Sequence, residues 1–396
     1  MKISKSKKAA ILILSGVLSL GFISESLIPD IFNNDVTGSV ISVKAKNESQ
    51  PDTTFLTELS GKQASLKANS SASFKNWNNN SATVKKLKTY IKKITDSSDK
   101  TNFIPKKDRI AVFDLDGTLL CETYPTFYER LMFINYALYD HPEKVSAEIK
   151  AVAKDCEEKS ASEVHKLYPT DVLTGYFAKA YAGLSVDELY DYTTEFGKKS
   201  TPYFKNLKYG EAFYLPMTDI VKYLYKNDFT LYVVSGTETT CIRAIIGNSP
   251  LKAYIQPDHI IGTEFEIKIK GHENEAGDHL YEYEVGDEAV YTGKYLYKNV
   301  KARKVINIIR EIGKKPVLAF GNRSSDNSMC YYTINDNPYP AKAFIVVADD
   351  GKRDQGKSSN MKKKISEYKD SGIDLISMKN EFTRIYSENM IVNQRL

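Results

Sequence analysis

Four short apolar runs, each ending in polar or small residues, constrain the fold of this chain more than any other feature of its sequence. The runs span residues 110–113, 229–234, 316–320 and 343–348. Nearly continuous apolar runs of this length are typical of strands that are buried on both faces. Two amphipathic helices are predicted among them, one capped by Thr218 and carrying Ile220, Val221 and Leu224, the other carrying Val305, Ile308, Ile309 and Ile312. This alternation predicts an α/β fold: a three-layer αβα, Rossmann-like parallel sheet.

The first and second of these strands are separated by more than a hundred residues, far more than a crossover connection needs. Helical patterns fill this segment: one stripe of Phe127, Leu131, Ile134 and Leu138, a second of Val172, Phe177 and Tyr181, and a capping box of Ser185 with Glu188. We therefore predict an inserted helical cap domain at residues 124–212. The first part of the core is assigned to residues 73–123, with an opening helix capped by Ser81, and the second part to residues 213–396. Alternating residues around 260–297 predict a β-rich insertion there.

The first 72 residues differ in character from the rest. Four lysines precede an apolar run at residues 9–23, the pattern of an export signal. The run is shorter than the roughly 20 apolar residues of a spanning helix, although an N-terminal anchor remains the alternative. Residues 1–45 are thus interpreted as a signal peptide or anchor and residues 46–72 as a flexible linker. We expect a secreted or extracytoplasmic protein that contacts a membrane only through an uncleaved N-terminus.

The composition limits the classes of function that this chain can have. A formal charge of +5 over 396 residues gives no indication of a nucleic-acid surface. The four cysteines, Cys121, Cys156, Cys241 and Cys330, lack the spacing of a zinc site. They are compatible either with up to two disulfides or with isolated buried thiols.

The strongest local signal is the segment from Asp114 to Thr118, which reads DLDGT and directly follows the first apolar run. Carboxylates at Asp114 and Asp116 leave the strand towards the same space, and Gly117 permits a sharp turn. One carboxylate can attack phosphorus while its neighbour protonates the leaving oxygen. An acidic turn after a strand is the alternative when this segment is considered alone.

Three further signals follow in the order that phosphoryl transfer requires. Ser235 and Gly236 end the second strand, where a hydroxyl and backbone N–H groups can bind phosphate oxygens. Lys304 begins the helix before the third strand and can neutralise phosphate charge, with Lys301 and Arg303 as competitors. These ends of parallel strands meet at one edge of the sheet, so we expect their side chains to converge there.

The third strand is followed by Gly321-Asn322-Arg323-Ser324-Ser325-Asp326. Its amide and carboxylate groups are the oxygen ligands that a hard cation prefers. Magnesium is the expected cofactor, because it screens the repulsion between an attacking carboxylate and a phosphate dianion.

Taken together, these motifs resemble the haloacid-dehalogenase-like phosphatase superfamily, and within it the exported phosphoserine-phosphatase-like and phosphorylcholine-phosphatase-like enzymes with a helical cap. The resemblance covers residues 74–350 and includes DLDGT at 114–118, VVSGT at 233–237, Lys304-Val305 and Ala319-Phe320-Gly321-Asn322 with Ser325-Asp326. It implies a nucleophile that also binds magnesium at Asp114, and an acid/base at Asp116 whose carbonyl contacts the metal. It further implies phosphate binding by Ser235 and Lys304, and magnesium binding by Asp326.

The implied activity is hydrolysis of a small phosphorylated metabolite through an aspartyl-phosphate intermediate. One departure from the family is Asn322, which stands at the first acidic position of the last motif and removes one possible charge from the metal site. Asn322 can still coordinate, so we expect a weaker metal site in an active enzyme. A catalytically weak or inactive phosphoryl-ligand binding protein is the alternative, and dehalogenation fits poorly because it has no use for Asp116.

Aromatic residues at the entrance to the cap leave a second alternative open: Tyr124, Phe127, Tyr128 and Tyr136. They can form a cage for a cationic group such as choline. They can equally pack the cap interior with their hydroxyl groups at its edge.

Overall fold

The computed structural model describes residues 73–122, 127–275, 277–387 and 390–392. Its helices are α1 (Ala82–Thr95), α2 (Tyr128–Asn135), α3 (Ala147–Glu158), α4 (Ala161–Leu167), α5 (Thr170–Ala180), α6 (Val186–Gly197), α7 (Leu215–Lys226), α8 (Thr239–Gly247), α9 (Ala302–Asn307), α10 (Asn327–Ile334), α11 (Ser359–Glu367) and α12 (Met378–Glu381). Its strands are β1 (Ile110–Phe113), β2 (Phe204–Lys205), β3 (Thr230–Glu238), β4 (Ile260–Ile269), β5 (Ala289–Tyr297), β6 (Leu318–Gly321), β7 (Lys342–Val347), β8 (Ile373–Ser377) and β9 (Ile391–Val392). Within these described ranges, no helix has the length and apolar character needed to cross a membrane.

Seven of the strands form one sheet in the order β5-β4-β3-β1-β6-β7-β8. All neighbours in this sheet are parallel except β4 and β5, which are antiparallel. The strands β1 and β6 are buried along their whole length, as expected for a sheet that is covered on both faces. The α/β class and the parallel sheet predicted from the apolar runs are therefore confirmed.

The centre of the sheet is packed by aromatic rings from successive strands. Phe113 of β1 stacks on Phe320 of β6 with ring centroids 4.6 Å apart, and Phe320 stacks on Phe344 of β7 at 5.1 Å. These three side chains are fully buried. The ladder fixes β6 between β1 and β7, because paired aromatic side chains on one face stabilise a single register.

The segment between β1 and α7 is helical, as predicted, and contains α2 to α6. Ser185 and Glu188 form the expected capping box at the start of α6, and Ser81 caps α1. The predicted stripe on α5 is wrong at Val172, which is 47% exposed. Phe177 and Tyr181 of the stripe are buried as predicted, and the helix buries Thr174 as well.

Two details of the helices that flank the core differ from the sequence predictions. Thr218 does not cap α7: the helix begins at Leu215 with Tyr214 as its N-cap, because Pro216 occupies the first turn, where proline is favoured. Ile309 lies outside the buried face and is 52% exposed. The chain buries the polar side chains of Lys304 and Asn307 on α9 instead, and these face the edge of the sheet described below.

The four cysteines are free thiols, and Cys156, Cys241 and Cys330 are buried. Burial raises the pKa of the Cys156 thiol to about 11. Of the two alternatives that the sequence left open, the structure has isolated thiols that pack as small apolar groups.

Candidate active site

Strands β1 and β6 end close to the level of Val233 in β3, and β3 itself continues to Glu238. Phe113 is paired with Val233 on one side and with Phe320 on the other. Asp114, the residue after β1, donates its backbone N–H to the Phe320 carbonyl at 2.9 Å. This register brings the residues that follow each strand to one edge, because parallel strands end in the same direction.

Lys304 links these three strand ends. Its ammonium nitrogen lies 2.6 Å from Asp114 Oδ1, 2.6 Å from the Val234 carbonyl and 2.8 Å from Asp326 Oδ1. The side chain is 1% exposed, so these contacts use all three of its N–H donors away from water. The other two basic residues considered for this position lie elsewhere: Lys301 is exposed, and Arg303 lies over the Tyr297 ring. Direct binding of phosphate by Lys304 stays a prediction.

The surroundings of Asp114 change the pKa of its carboxyl group. Burial raises its pKa to about 7, with the Asp326 carboxylate acting in the same direction and Lys304 opposing both. For Lys304, burial disfavours the charged ammonium, but Asp114 and Asp326 outweigh burial and raise its pKa. A second cation at this edge would lower the pKa of Asp114 further towards its ordinary value.

Asp116 lies in the same space with one oxygen bound and one free. Its Oδ2 accepts a hydrogen bond from Thr237 Oγ1 at 2.7 Å, whereas Oδ1 is buried without a partner among the described residues. Burial raises the pKa of Asp116, and the nearby Glu129 carboxylate contributes in the same direction. A buried carboxylate that holds its proton more tightly than usual is suited to donate that proton to a leaving group.

Ser235 and Gly236 were predicted to end the second strand, but they lie within β3, which continues to Glu238. Side-chain hydrogen bonds hold the carbonyl groups of this segment. Asn299 Nδ2 donates to the Ser235 carbonyl at 3.0 Å, and Asn307 Nδ2 donates to Asn299 Oδ1 at 3.1 Å. Thr263 Oγ1 donates to the Gly236 carbonyl at 2.6 Å. These partners thus satisfy the backbone carbonyl groups of both residues.

The loop after β6 is organised by Asp326. Its Oδ2 accepts the backbone N–H groups of Asn322 at 2.9 Å and of Arg323 at 3.0 Å. Gly117, at a positive φ of 80°, approaches this loop so closely that a Cβ there would lie 1.8 Å from Asn322 Nδ2. The glycine of the first motif is thus required both by its backbone conformation and by the close packing of the two loops.

The residues at this edge carry oxygen groups of the kind that magnesium prefers. Within the described part of the chain, no group of three or more His, Cys, Asp or Glu side chains is arranged to hold a metal. The available donors are mixed: the Asp114 carboxylate, the Asp116 carbonyl and the Asn322 amide oxygen. Magnesium takes one or two carboxylates together with water and phosphate oxygens, so this set fits. Asp326 as a direct ligand stays a prediction, since both of its oxygens already accept hydrogen bonds.

A cavity of about 490 Å³ opens above these residues, between the sheet edge and helices α2, α4 and α5. Asp114, Asp116, Ser235 and Lys304 line its floor, and Phe127, Val164, Leu173 and Phe177 form an apolar wall. A volume of this size accommodates a small molecule. The structure therefore brings residues from all four motifs to one cavity.

Four charged residues of the site were not found from the sequence: Glu122, Glu129, Arg130 and Lys298. Glu129 is fully buried, and its carboxylate accepts from the Glu238 backbone N–H at 3.0 Å and from Lys298 Nζ at 3.1 Å. This joins α2 to Glu238, the last residue of β3. One feature of the sequence could have indicated two of these residues: Glu129 and Arg130 form a charged pair within the largely apolar segment of α2.

The aromatic side chains at the cap entrance mostly face away from the cavity. Tyr128 donates its hydroxyl to the Thr193 carbonyl at 2.8 Å, and Tyr136 packs edge-on against Tyr181 and Tyr192. Phe127 lines the cavity, and Tyr124 lies outside the described residues. Of the two alternatives, packing inside the cap is the one observed for Tyr128 and Tyr136.

Stability should depend on the ionisation of Glu238. Burial raises the pKa of this side chain to about 7. Between about pH 4.5 and pH 7 the native state keeps a proton that the unfolded state has lost, so stability falls as pH rises through this window. We expect Glu238→Gln to be more stable than the wild type by on the order of 2 kcal/mol at pH 8, and the difference to vanish near pH 4.5.

This prediction is checked by urea unfolding at both pH values. The amide can preserve the existing contacts, because Tyr291 donates its hydroxyl to Thr240 Oγ1 and its oxygen can accept. A Glu238→Gln variant that is less stable at pH 8 would show that the charged form is the favoured one.

Comparison with known proteins gives structural similarity only. The sequence matches no protein-family model and no curated protein. A conserved, functionally unknown protein from Anaerococcus prevotii is 15% identical, with 73% of this chain and 91% of that chain covered and a TM-score of 0.42. A protein of unknown function from Bordetella pertussis is 14% identical, with 68% and 97% covered and a TM-score of 0.44.

A third similar structure is a phosphoserine phosphohydrolase-like protein from Francisella tularensis. It is 13% identical, with 61% of this chain and 88% of that chain covered and a TM-score of 0.32. Further similar structures are described as a HAD family hydrolase and a phosphoserine phosphatase.

Proposed function

We propose that this chain is an exported, magnesium-dependent phosphohydrolase that cleaves small phosphomonoesters through an aspartyl-phosphate intermediate. The observation that carries the proposal is the position of Lys304, whose ammonium joins Asp114 to Asp326 below a cavity that Asp116 also lines. A carboxylate fixed by a buried cation, beside a second carboxylate with a raised pKa, is the pair that two-step phosphoryl transfer needs.

The reaction has two balanced steps. In the first, the Asp114 carboxylate attacks phosphorus, the bond between phosphorus and the ester oxygen breaks, and Asp116 donates its proton to the leaving oxygen. In the second, Asp116 takes a proton from water, which attacks the phosphoryl group, releases inorganic phosphate and restores Asp114. Ser235 and the backbone of its turn bind the phosphoryl oxygens during both steps.

Magnesium, held by Asp114, the Asp116 carbonyl and Asn322, would supply positive charge against the repulsion between carboxylate and phosphate. Export is proposed from the lysine-rich, apolar pattern of the first residues, which lie outside the described part of the chain.

The proposal predicts that the purified protein hydrolyses a generic aryl phosphate in the presence of Mg²⁺. Chelation of the metal should reduce the rate by at least about 100-fold, because several kcal/mol of charge stabilisation is lost. Release of the coloured phenol measures the rate directly. Absence of turnover across a broad panel of phosphomonoesters would sink the enzyme hypothesis.

The alternative is a protein that binds a phosphorylated ligand without turnover, and Asn322 in place of an acidic residue is the observation in its favour. The two functions differ in covalent chemistry. Rapid-quench detection of an acid-stable phosphoryl group on Asp114 would exclude pure binding, since only the enzyme forms that bond.

The leaving group is proposed to carry a second anionic group, because the cavity contains a cation without a counter-ion among the described residues. Arg130 is 5% exposed, donates through Nη2 to the Cys156 carbonyl at 2.9 Å, and has a buried Nε without a partner in the same ranges. No carboxylate forms an ion pair with Arg130 in that part of the chain, whereas the cavity cations Lys298 and Lys304 are both paired. A buried charge is costly unless a ligand neutralises it.

Accordingly, Arg130→Met should raise KM about 10-fold or more for 2-phosphoglycolate and much less for ethyl phosphate, since a charged hydrogen bond contributes roughly 1.5–3 kcal/mol. Steady-state kinetics with the matched pair measures the difference. The control is Arg243→Met, on the outer side of α8, where Nε binds the Pro257 carbonyl. Equal loss for both substrates would assign Arg130 to the packing of the cap.

A further inference from the structure

The lysine expected to bind phosphate, Lys304, has no free N–H donor in the structure. Its ammonium directs its three donors to Asp114 Oδ1, the Val234 carbonyl and Asp326 Oδ1, at 2.6 to 2.8 Å. A lysine ammonium has three donors and no more. A direct contact between a lysine and a phosphoryl oxygen therefore requires a second lysine in the cavity, unless one of these three contacts breaks.

Lys298 is a second lysine of the cavity, and its donors are not all used. It directly follows β5, lines the cavity, and its side chain is 10% exposed. Its ammonium lies 3.1 Å from Glu129 Oε2, and no other acceptor is within hydrogen-bonding distance among the described residues. Within that part of the chain, two of its three N–H donors are thus open to a ligand. Because a nearly buried donor without an acceptor is costly, these two donors favour a ligand with oxygen acceptors.

The main chain beside Lys298 is attached to the segment that was predicted to bind phosphate. The next residue, Asn299, is fully buried, donates its backbone N–H to Thr263 Oγ1 at 3.1 Å and donates Nδ2 to the Ser235 carbonyl at 3.0 Å. Thr263 in turn donates to the Gly236 carbonyl at 2.6 Å. These contacts hold the main chain next to position 298 against Ser235 and Gly236.

The side chain of Lys298 packs against Gly236. A Cβ at Gly236 would lie 3.9 Å from Lys298 Cε and 2.9 Å from Val300 Cγ1, so a larger residue at this position would displace its neighbours. Glu129, which contacts the ammonium, is fully buried and accepts from the Glu238 backbone N–H at 3.0 Å. The ammonium is thus held between α2 and the end of β3.

We propose that Lys298 binds a phosphoryl oxygen of the substrate, beside Gly236, and that Glu129 holds its ammonium in place. The inference rests on the proposed function, because it concerns the phosphoryl group of the same substrate. It divides two tasks between two lysines: Lys304 compensates the buried carboxylates, and Lys298 contacts the ligand. Hydrogen bonds between a charged donor and a phosphate oxygen are among the strong ones, so Lys298 contributes affinity for the phosphoryl group itself.

The test compares two variants that both carry Glu129→Gln, one of which also carries Lys298→Met. Removal of Lys298 alone would leave the buried Glu129 carboxylate without its counter-ion and destabilise the fold. In both variants the amide oxygen at position 129 can accept from the Glu238 backbone N–H, so this link between α2 and β3 is kept. The ligand is inorganic phosphate, titrated into the full chain with Mg²⁺ present and followed by calorimetry, so that no leaving group takes part.

We expect the variant that lacks Lys298 to bind phosphate about 10- to 100-fold more weakly than Glu129→Gln alone, because a hydrogen bond between charged groups is lost. Lys294→Met is the matched control for removal of a lysine: Lys294 lies in β5, is 71% exposed and pairs with Glu266 at 3.4 Å. It should leave the phosphate affinity within about 2-fold of the wild type, because its charge is screened by water. Thermal unfolding verifies that each variant is folded.

Equal phosphate affinity in the two Glu129→Gln variants would overturn the inference, because Lys298 would then act only as the counter-ion of Glu129. Failure of the wild type to bind phosphate would overturn it as well. If loss of Lys298 weakens phosphate binding as expected but no phosphomonoester is hydrolysed, the inference stands and the proposed function fails. Phosphate affinity and turnover are therefore judged separately.

Discussion

Replacing Asp114 by Asn should reduce turnover of any phosphomonoester by at least about 10⁴-fold, because the attacking carboxylate is removed while its shape is kept. The fold should persist, since the Lys304 ammonium still contacts Asp326 Oδ1 at 2.8 Å and the Val234 carbonyl at 2.6 Å. Single-turnover hydrolysis measures the loss of turnover. Trapping of a phosphoryl-protein adduct tests whether the attacking carboxylate has been removed.

The matched control for this substitution is Asp108→Asn. Asp108 lies just before β1, at the end remote from the site, and its carboxylate accepts from Lys314 at 2.8 Å. It should keep nearly full activity. If Asp114→Asn hydrolyses substrate at a rate within about 10-fold of wild type, another group is the nucleophile and the order of the four motifs has been misinterpreted.

Replacing Lys304 by Met should lower the free energy of unfolding by about 3–5 kcal/mol and abolish detectable activity. Removal of one partner from a buried ion pair leaves the other charge uncompensated. Here two carboxylates, Asp114 and Asp326, lose the same buried cation. Equilibrium unfolding in urea at pH 7 measures the stability, and magnesium should be omitted so that the cation does not compensate.

A surface lysine provides the contrast. Lys314 pairs with Asp108 at 2.8 Å but is 45% exposed. Its substitution by Met should cost less than about 1 kcal/mol, because water screens exposed pairs. Similar costs for both variants would mean that the Lys304 contacts contribute no more than a surface pair, which would contradict the electrostatic role assigned to Lys304.

The central part of the fold was accessible from the sequence because its signals are local. An apolar run marks a strand that is buried on both faces, and β1, β3, β6 and β7 were found in this way. The edge strand β8 was missed, since Asp374 and Ser377 interrupt the apolar residues of Ile373–Ser377 and leave no continuous apolar run. The start of α7 was misplaced because Pro216 defines the first turn more strongly than Thr218.

The sequence by itself determined which chemistry this chain can attempt. The sequence predicted Asp114, Asp116, Ser235 and Asp326 at the ends of parallel strands, and parallel strands bring such residues to one edge. Only the resemblance to a family distinguished Lys304 from the two other basic residues, Lys301 and Arg303. In the structure, the orientation of α9 buries Lys304 beside Asp114.

Only the tertiary structure decided the partners of these residues. Glu122 meets Asn322 across 200 positions of the chain, Glu129 meets Lys298 across 169, and Arg130 lies in the cavity wall with no counter-ion among the described residues. No periodicity or spacing encodes such contacts, because they depend on how the helical insertion packs on the sheet. The sequence specified the reacting groups, whereas packing set their charges, their orientation and the space for a substrate.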